Sequence, residues 1–162
     1  MNKRIISLTA MLLCFLSISL TSCDGEDEGG NYVSPNYVAA TWELTDIGYL
    51  VATPTSTTRI YTPVDANQCE SQTFNFTEDL AFSRNYYQQV DDVCAPKAIT
   101  GTYGLEQGNI VVTYVPDGAT ESTTITYDII TLTDVALEIA YTDAVTHELV
   151  FLKFTKLVPI ID

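Results

Sequence analysis

The chain has 162 residues, of which 21 are acidic and only seven are basic, so its net charge is −14 at neutral pH. So acidic a surface repels the phosphates of nucleic acids and the headgroups of anionic lipids. This charge excludes nucleic acid as a binding partner.

The first 22 residues have the layout of a secretory signal. Lys3 and Arg4 form a basic start, and an apolar stretch runs from Ile5 to Leu20. A transmembrane helix is the alternative interpretation. It needs roughly 20 mainly apolar residues, whereas this stretch is shorter and is interrupted by serine and threonine. The pattern therefore favours a signal that is removed.

The run Leu20-Thr21-Ser22-Cys23 resembles the lipobox of bacterial lipoproteins, in which the signal is cut before a cysteine that is then acylated. Cleavage there removes residues 1–22 and leaves 140 residues, a size that suits one domain. With Lys3 and Arg4 gone, five basic residues face 21 acidic ones, a net charge of −16. Each buried methylene of an acyl chain contributes about 0.8 kcal/mol, so two or three chains on Cys23 hold the protein at a membrane.

Residues 23–37 are polar, acidic and rich in glycine, which predicts a flexible tether. A single folded domain is predicted over residues 38–162.

From residue 40 onward, apolar and polar residues alternate with the period of two that is typical of β-strands. No stretch carries a convincing helical stripe. Trp42 and Leu44 share one parity and Ile47 takes the other, which predicts a β-bulge at Asp46. Further strands are predicted at residues 58–61, 74–76, 82–90, 99–105, 110–115, 125–129, 135–141 and 150–154.

Eight or nine short strands joined by short turns predict an antiparallel meander. Such a meander closes best as an up-and-down β-barrel of about eight strands, because closure removes the exposed sheet edges. A β-sandwich is the alternative.

Cys69 and Cys94 remain in the predicted domain of an exported protein, and a disulfide between them is expected. A metal site is the competing interpretation, but it lacks nearby histidines. No metal or cofactor is predicted.

Several short motifs, taken in order, resemble the lipocalin-like domains of lipoproteins from Bacteroidetes-type bacteria. Ala40-Thr41-Trp42-Glu43-Leu44 resembles a Gly-x-Trp-x-Leu start, although Ala40 stands in place of the glycine. Cys69 precedes a Phe-x-Phe strand and the acidic turn Glu78-Asp79, which is followed by Leu80 instead of the usual glycine. Cys94 precedes the Gly-x-Tyr sequence that ends at Tyr103, and a late strand-and-turn match occupies residues 127–134. The resemblance covers roughly residues 38–158.

This resemblance implies a lipocalin-like barrel with Trp42 packed at its closed end, in a structural role. The acidic residues after Cys23 are similar to the signal that sends such lipoproteins to the outer face of the outer membrane. A periplasm-facing position is the alternative.

The sequence offers no catalytic set, so an enzyme is not expected. His147 is the only histidine, and the chain has no Gly-x-Ser-x-Gly elbow and no glycine-rich phosphate loop. Candidate ligand-binding residues are Tyr103, Tyr127 and Tyr141, which combine apolar area with a hydroxyl group. Arg59 and Arg84 are the only arginines after the signal, and each can bind an anionic ligand at a barrel mouth or pair with an acidic side chain.

The expected function is the binding of a small apolar or amphipathic ligand inside the barrel. The alternative is a non-catalytic accessory lipoprotein with a packed interior, which docks onto a protein partner in the cell envelope. Leu149 and Phe151, on the opposite strand face from Val150 and Leu152, would support docking if they form an exposed apolar patch.

Overall fold

The computed structural model describes residues 35–65, 69, 71–91 and 93–158. The predicted signal, Cys23 and most of the predicted tether lie outside these residues. A single helical turn, α1 (Pro35–Val38), overlaps the end of the predicted tether. None of the helical structure in the described ranges is long and apolar enough to cross a lipid bilayer.

The rest of the described chain is built from β-strands. In chain order they are β1 (Ala40–Ala52), β2 (Thr57–Pro63), β3 (Gln72–Phe76), β4 (Ala81–Val90), β5 (Val93–Glu106), β6 (Asn109–Tyr114), β7 (Thr123–Leu132), β8 (Ala136–Thr142) and β9 (Leu149–Lys156).

The strands form one antiparallel sheet that closes on itself through β1. Its residues 40–43 pair with β3 and its residues 46–52 pair with β2, so β2 and β3 share one position in the wall. The other edge of β1 pairs with β9. Strands β3 to β9 each pair with their sequence neighbour, which gives a closed barrel of eight wall positions. The predicted up-and-down barrel is confirmed, and the β-sandwich alternative is wrong because the β1–β9 pairing leaves no second sheet.

The register of β1 against β9 shifts between Leu44 and Asp46, which confirms the predicted bulge. The extra residue reverses the parity of the strand. Leu44 and Ile47 therefore both face the barrel interior, where Leu44 is buried and Ile47 packs against the core.

The closed end of the barrel lies where α1 enters β1. Trp42 and Val38 are fully buried there, and the indole Nε1 of Trp42 donates a hydrogen bond to the Val38 carbonyl oxygen at 2.9 Å. Because the hydrogen bond satisfies the polar group of the indole, Trp42 can close the core without an unpaired donor.

Aromatic rings fill the half of the barrel next to the closed end. Phe76 contacts both Phe82 and Tyr103, with ring centroids 5.3 Å and 5.0 Å apart. Phe74 extends this cluster, with ring centroids 5.5 Å from Phe82 and 4.9 Å from Phe154. This half of the interior is packed solid.

Cys69 and Cys94 form a disulfide, in agreement with the prediction. Cys69 lies in the connection between β2 and β3, and Cys94 is the second residue of β5. The bridge thus fastens the interrupted wall position to the tip of the β4–β5 hairpin.

Candidate functional site

The open end of the barrel lies opposite α1. Strands β2 and β3 both run antiparallel to β1, and the strands alternate in direction from β3 onward. The connections after β1, β4, β6 and β8 therefore gather at this end. The barrel wall therefore presents four loops around one mouth.

A cavity of about 110 Å³ lies inside this mouth. Every residue that lines it has the inward parity of its strand. They are Ile47 and Tyr49 of β1, Gln72 and Phe74 of β3, Arg84 of β4, Ile125 and Tyr127 of β7, Tyr141 of β8, and Val150 and Leu152 of β9. Phe74 and Tyr127, whose ring centroids are 6.1 Å apart, connect the cavity to the aromatic core beneath it.

Arg84 is the cationic group of the cavity. It faces inward because it has the same parity as Phe82 and Tyr86 on β4, and Phe82 belongs to the core. Its Nε donates a hydrogen bond to Oε1 of Gln72 at 3.0 Å. Its guanidinium carbon lies 4.9 Å from the ring centroid of Tyr86 and 5.7 Å from that of Phe74. No carboxylate within the described ranges forms an ion pair with Arg84.

Two tyrosines from neighbouring strands face Arg84 across the cavity. Tyr127 is buried and Tyr141 half-buried, and their ring centroids are 5.5 Å apart. Burial raises the pKa of both phenols, so both stay protonated well above neutral pH. Neither hydroxyl forms a hydrogen bond with another described residue. Within the described ranges, every fully buried side-chain oxygen has a hydrogen-bond partner, so these two unpartnered hydroxyl oxygens are not fully buried. The two hydroxyls are therefore accessible donors in the cavity.

The sequence-family model of the lipocalin-like domain matches residues 38–139, from the end of α1 into β8. The chain belongs to the lipocalin-like domain family. Solved structures similar to this lipocalin-like chain include a lipocalin-like protein from Bacteroides uniformis, with 16% identity and a TM-score of 0.49 over 75% of this chain and 99% of that one. An uncharacterized protein from Bacteroides eggerthii has 15% identity and a TM-score of 0.49 over 74% of this chain and 98% of that one. A triple mutant of bovine odorant binding protein has 14% identity and a TM-score of 0.42, with 78% of each chain covered. No curated protein matches this lipocalin-like chain.

The lipocalin-like barrel brings together three of the five predicted ligand-binding residues: Arg84, Tyr127 and Tyr141. Tyr103 is not among them. It is buried near the closed end, and its hydroxyl donates a hydrogen bond to the Thr77 carbonyl oxygen at 2.8 Å. The placement of Tyr103 in the ligand cavity is therefore wrong, because its ring and its hydroxyl are both used to hold the β3–β4 turn against the core.

Arg59 also lies away from the cavity, on the outer face of the lipocalin-like barrel. Its Nη1 is 2.7 Å from Oε1 of Glu138 on β8, and its guanidinium carbon lies 4.0 Å above the ring of Phe151. Pairing with an acidic side chain was the other outcome predicted for Arg59, and the structure shows that outcome.

Leu149 and Phe151, the two residues that would support a docking face if they were exposed, are largely covered. Phe151 has only 3% of its surface accessible because Arg59 covers it, and Leu149 is half-buried. The two residues therefore do not form the exposed patch that a docking face would need.

Gln72 and Tyr49 are cavity residues that sequence reasoning did not select. Gln72 has the same parity as Phe74 and Phe76, and Tyr49 has the same parity as Ile47, so the strand pattern carried the signal for both. Neither residue type stands out as a ligand-binding residue until the closed barrel places it beside Arg84.

A wider opening continues from the cavity at the mouth end of β6, β7 and β8. It measures about 580 Å³ and shares Arg84, Ile125 and Tyr141 with the inner cavity, with Tyr114 as an additional inward-facing ring. Part of its lining comes from the outward side of β7 and from the loop after β8. The cavity is thus the deep end of a wider cup.

A groove of about 400 Å³ runs along β3, β4 and β5. Its lining includes both Tyr86 and Tyr87, whose side chains point to opposite faces of the wall. It shares only Gln72 with the inner cavity and does not include Arg84, Tyr127 or Tyr141.

His147 lies exposed in the loop between β8 and β9. Within the described ranges, no group of three or more histidine, cysteine or acidic side chains could hold a metal ion.

Proposed function

We propose that this lipocalin-like protein binds a small apolar or amphipathic ligand at the open end of its barrel, without catalysing a reaction. The observation that carries the proposal is the cavity of about 110 Å³ beside Phe74 and Arg84, lined only by inward-facing side chains. Apolar walls with a few convergent polar groups are characteristic of small-molecule sites. The packed aromatic half of the barrel limits the ligand to the mouth.

The proposal includes a lipid anchor on Cys23 at the outer membrane, with the barrel displayed on the cell surface. The sequence around Cys23 supports the anchor. The chain enters the barrel at the closed end, through α1, and the cavity opens at the other end. A tether from Cys23 therefore reaches the barrel at the end opposite to the cavity.

Ligand binding is tested with the neutral fluorescent probe N-phenyl-1-naphthylamine and the chain from Asp24 onward, which contains the whole compact unit of residues 31–162. We expect saturable binding to the unsubstituted protein. Ile125→Trp should abolish binding because the indole fills the cavity from β7, whereas Ile130→Trp on the exposed surface of the same strand should not. Equal binding by both variants, with circular dichroism showing both folded, would place the probe outside the cavity and refute the proposal.

The anchor is tested separately in cells. Cys23→Ala should move the protein from the detergent phase to the aqueous phase, and protease treatment of intact cells should remove the unsubstituted protein. A variant that remains in the detergent phase contradicts the lipid anchor. A protein that resists the protease contradicts surface display.

A further inference from the structure

We infer that the ligand carries a carboxylate, which Arg84 binds, and an apolar part, which rests against the cavity wall. This inference rests on the proposed function and names the chemical class of its ligand. The first observation behind it is that the cavity contains hydrogen-bond donors with no partner among the described residues.

The guanidinium of Arg84 is only partly used by the protein. Its Nε–H bonds Gln72, and this contact orients the planar group without neutralising its charge. The Nη1 and Nη2 groups make no hydrogen bond or ion pair with a described residue. Because the end-on edge formed by Nη1 and Nη2 presents two parallel N–H donors, it matches a carboxylate in a two-bond fork, and a carboxylate is the partner that this arrangement fits.

The described acidic side chains at the mouth do not form an ion pair with Arg84, so they do not take the place of a ligand carboxylate. Two acidic residues line the wider cup: Asp128, on the outward side of β7, and Asp143, in the loop after β8. Asp143 also lies close enough to Tyr141 to interact with it electrostatically. Its Oδ1 accepts hydrogen bonds from the backbone nitrogens of Val145 and Thr146, at 2.9 Å and 2.8 Å. The backbone hydrogen bond from Thr146 holds the pKa of Asp143 below its usual range, so this carboxylate is committed to its own loop.

Arg59 and Arg84 have the same side chain, but they differ in whether the protein supplies a counter-ion. Arg59 has Glu138 as a counter-ion and Phe151 as a packing surface. Arg84 has the same chemistry, sits half-buried, and has two protonated tyrosines close enough to interact with it electrostatically. Their hydroxyls can donate hydrogen bonds to the same carboxylate.

The surroundings of Arg84 explain why an apolar part is needed. A chain with a net charge of −14 repels small anions at long range, so a carboxylate alone gains little. Ile47, Val150 and Leu152 line the cavity around the cation and offer apolar contact. Since pockets for whole small molecules measure about 300–1,000 Å³, the inner cavity of about 110 Å³ takes only one end of the ligand, and the wider cup takes the rest.

The test compares two ligands of equal chain length, octanoate and 1-octanol, by isothermal titration calorimetry at pH 7 with the chain from Asp24 onward. We expect octanoate to bind about tenfold more tightly than 1-octanol. Arg84→Gln should remove this preference, and Arg84→Lys should retain part of it because lysine keeps the charge but loses the fork. Arg59→Gln is the matched control, since it removes the same charge from the outer face and should leave the preference unchanged.

The outcomes separate this inference from the proposed function. If both ligands bind with equal affinity, or if the octanoate preference survives Arg84→Gln, the carboxylate assignment is overturned while binding in the barrel stands. If the neutral naphthylamine probe binds but neither octyl compound does, the assignment is also overturned. If the probe and both octyl compounds fail to bind, the proposed function and the inference fall together.

Discussion

At the scale of single residues, Gly48 allows a contact that spans the seam of the barrel. Tyr61 on β2 and Phe151 on β9 lie on either side of Gly48, so the Tyr61 ring can rest on the bare backbone of β1. The Tyr61 hydroxyl then donates to Oε1 of Glu138 at 2.5 Å, and Nζ of Lys153 lies 3.5 Å from the Tyr61 ring centroid. These contacts link β2 to β8 across the β1–β9 pairing that closes the barrel.

Gly48→Val should therefore destabilise the protein, by about 1–3 kcal/mol. A Cβ at Gly48 would lie 2.7 Å from Cε1 of Tyr61 and 3.2 Å from Cβ of Phe151, so the ring must move away from Glu138. Gly104→Val is the matched control, because a Cβ there meets no atom within 4 Å. Urea denaturation measures the free energy of unfolding, and equal effects of the two substitutions would contradict this account.

A second comparison tests the same contact through its partner. Tyr61→Ala removes the ring that obstructs the valine, so Gly48→Val should cost less in the Tyr61→Ala background than in the unsubstituted protein. If the free-energy costs of Gly48→Val and Tyr61→Ala are simply additive, the two residues do not interact.

The two arginines show how far single residues could be interpreted from sequence. Their chemistry is identical, and sequence alone left each of them two outcomes. Arg84 shares the parity of the core residue Phe82, whereas Arg59 shares that of Tyr61 on the outer face. Strand parity thus distinguishes the inward-facing arginine from the outward-facing one once the register of each strand is known. A register shift of one residue would move every side chain of the strand to the other face, and only the pairing of the strands determines the register.

At the scale of elements, alternation of apolar and polar residues was enough to predict the strands. The bulge at Asp46 followed from a change of parity, and the strands from β6 onward fall close to their predicted positions. The early part of β5 was missed. It begins at Val93, well before the predicted start at Ile99, because the β4–β5 hairpin continues its pairing to Val90 and Val93 through a mostly exposed stretch. Residues 93–98 of this stretch, Val-Cys-Ala-Pro-Lys-Ala, do not alternate between apolar and polar. A hydrophobic pattern cannot mark a strand that buries neither face.

The division of one wall position between β2 and β3 was also not apparent from sequence, although both strands were predicted. It depends on the length of β1, whose two halves pair with different partners on the same edge. The disulfide stabilises this interruption, since it ties the connection between β2 and β3 to β5.

Removal of the disulfide should cost about 3–4 kcal/mol on the chain-entropy estimate for a loop closed over 25 residues. The comparison uses Cys69→Ala/Cys94→Ala against the unsubstituted protein, with the free energy of unfolding measured in urea with and without reductant. Reductant should destabilise the unsubstituted protein and leave the double variant unchanged. The account fails if the oxidised protein and the double variant are equally stable.

At the scale of the whole molecule, the barrel divides into a packed half and an open half, and the tyrosines follow that division. Tyr103 belongs to the packed half, Tyr127 and Tyr141 border the cavity, and Tyr61 lies on the outer seam. Sequence could predict a closed barrel but not whether its interior was filled, because filling depends on which rings meet across the lumen. The edge-to-face contacts that connect Phe76 through Phe74 to Tyr127 show that closure brings β3 and the distant strand β7 together in one continuous aromatic cluster.

Because of this distribution of tyrosines, we expect the free energy of unfolding to fall at alkaline pH. Burial raises the pKa of Tyr103, Tyr127, Tyr141 and Tyr61, while in the unfolded chain each phenol ionises near pH 10. Above about pH 10 the folded state therefore binds more protons than the unfolded state, and the free energy of unfolding falls as the pH rises. Each tyrosine that stays protonated only in the folded state contributes a slope of about 1.4 kcal/mol per pH unit.

Tyr127→Phe isolates this effect, because it removes one hydroxyl from the buried ring and leaves the packing in place. Urea denaturation at several values between pH 8 and pH 11 should show a steep loss of stability in the unsubstituted protein and a slope about one proton shallower in the variant. Tyrosinate absorbance near 295 nm, followed in parallel, should show part of the tyrosine titration delayed until the protein unfolds. A slope that Tyr127→Phe leaves unchanged would mean that repulsion among the many acidic side chains, and not the buried phenols, governs alkaline unfolding.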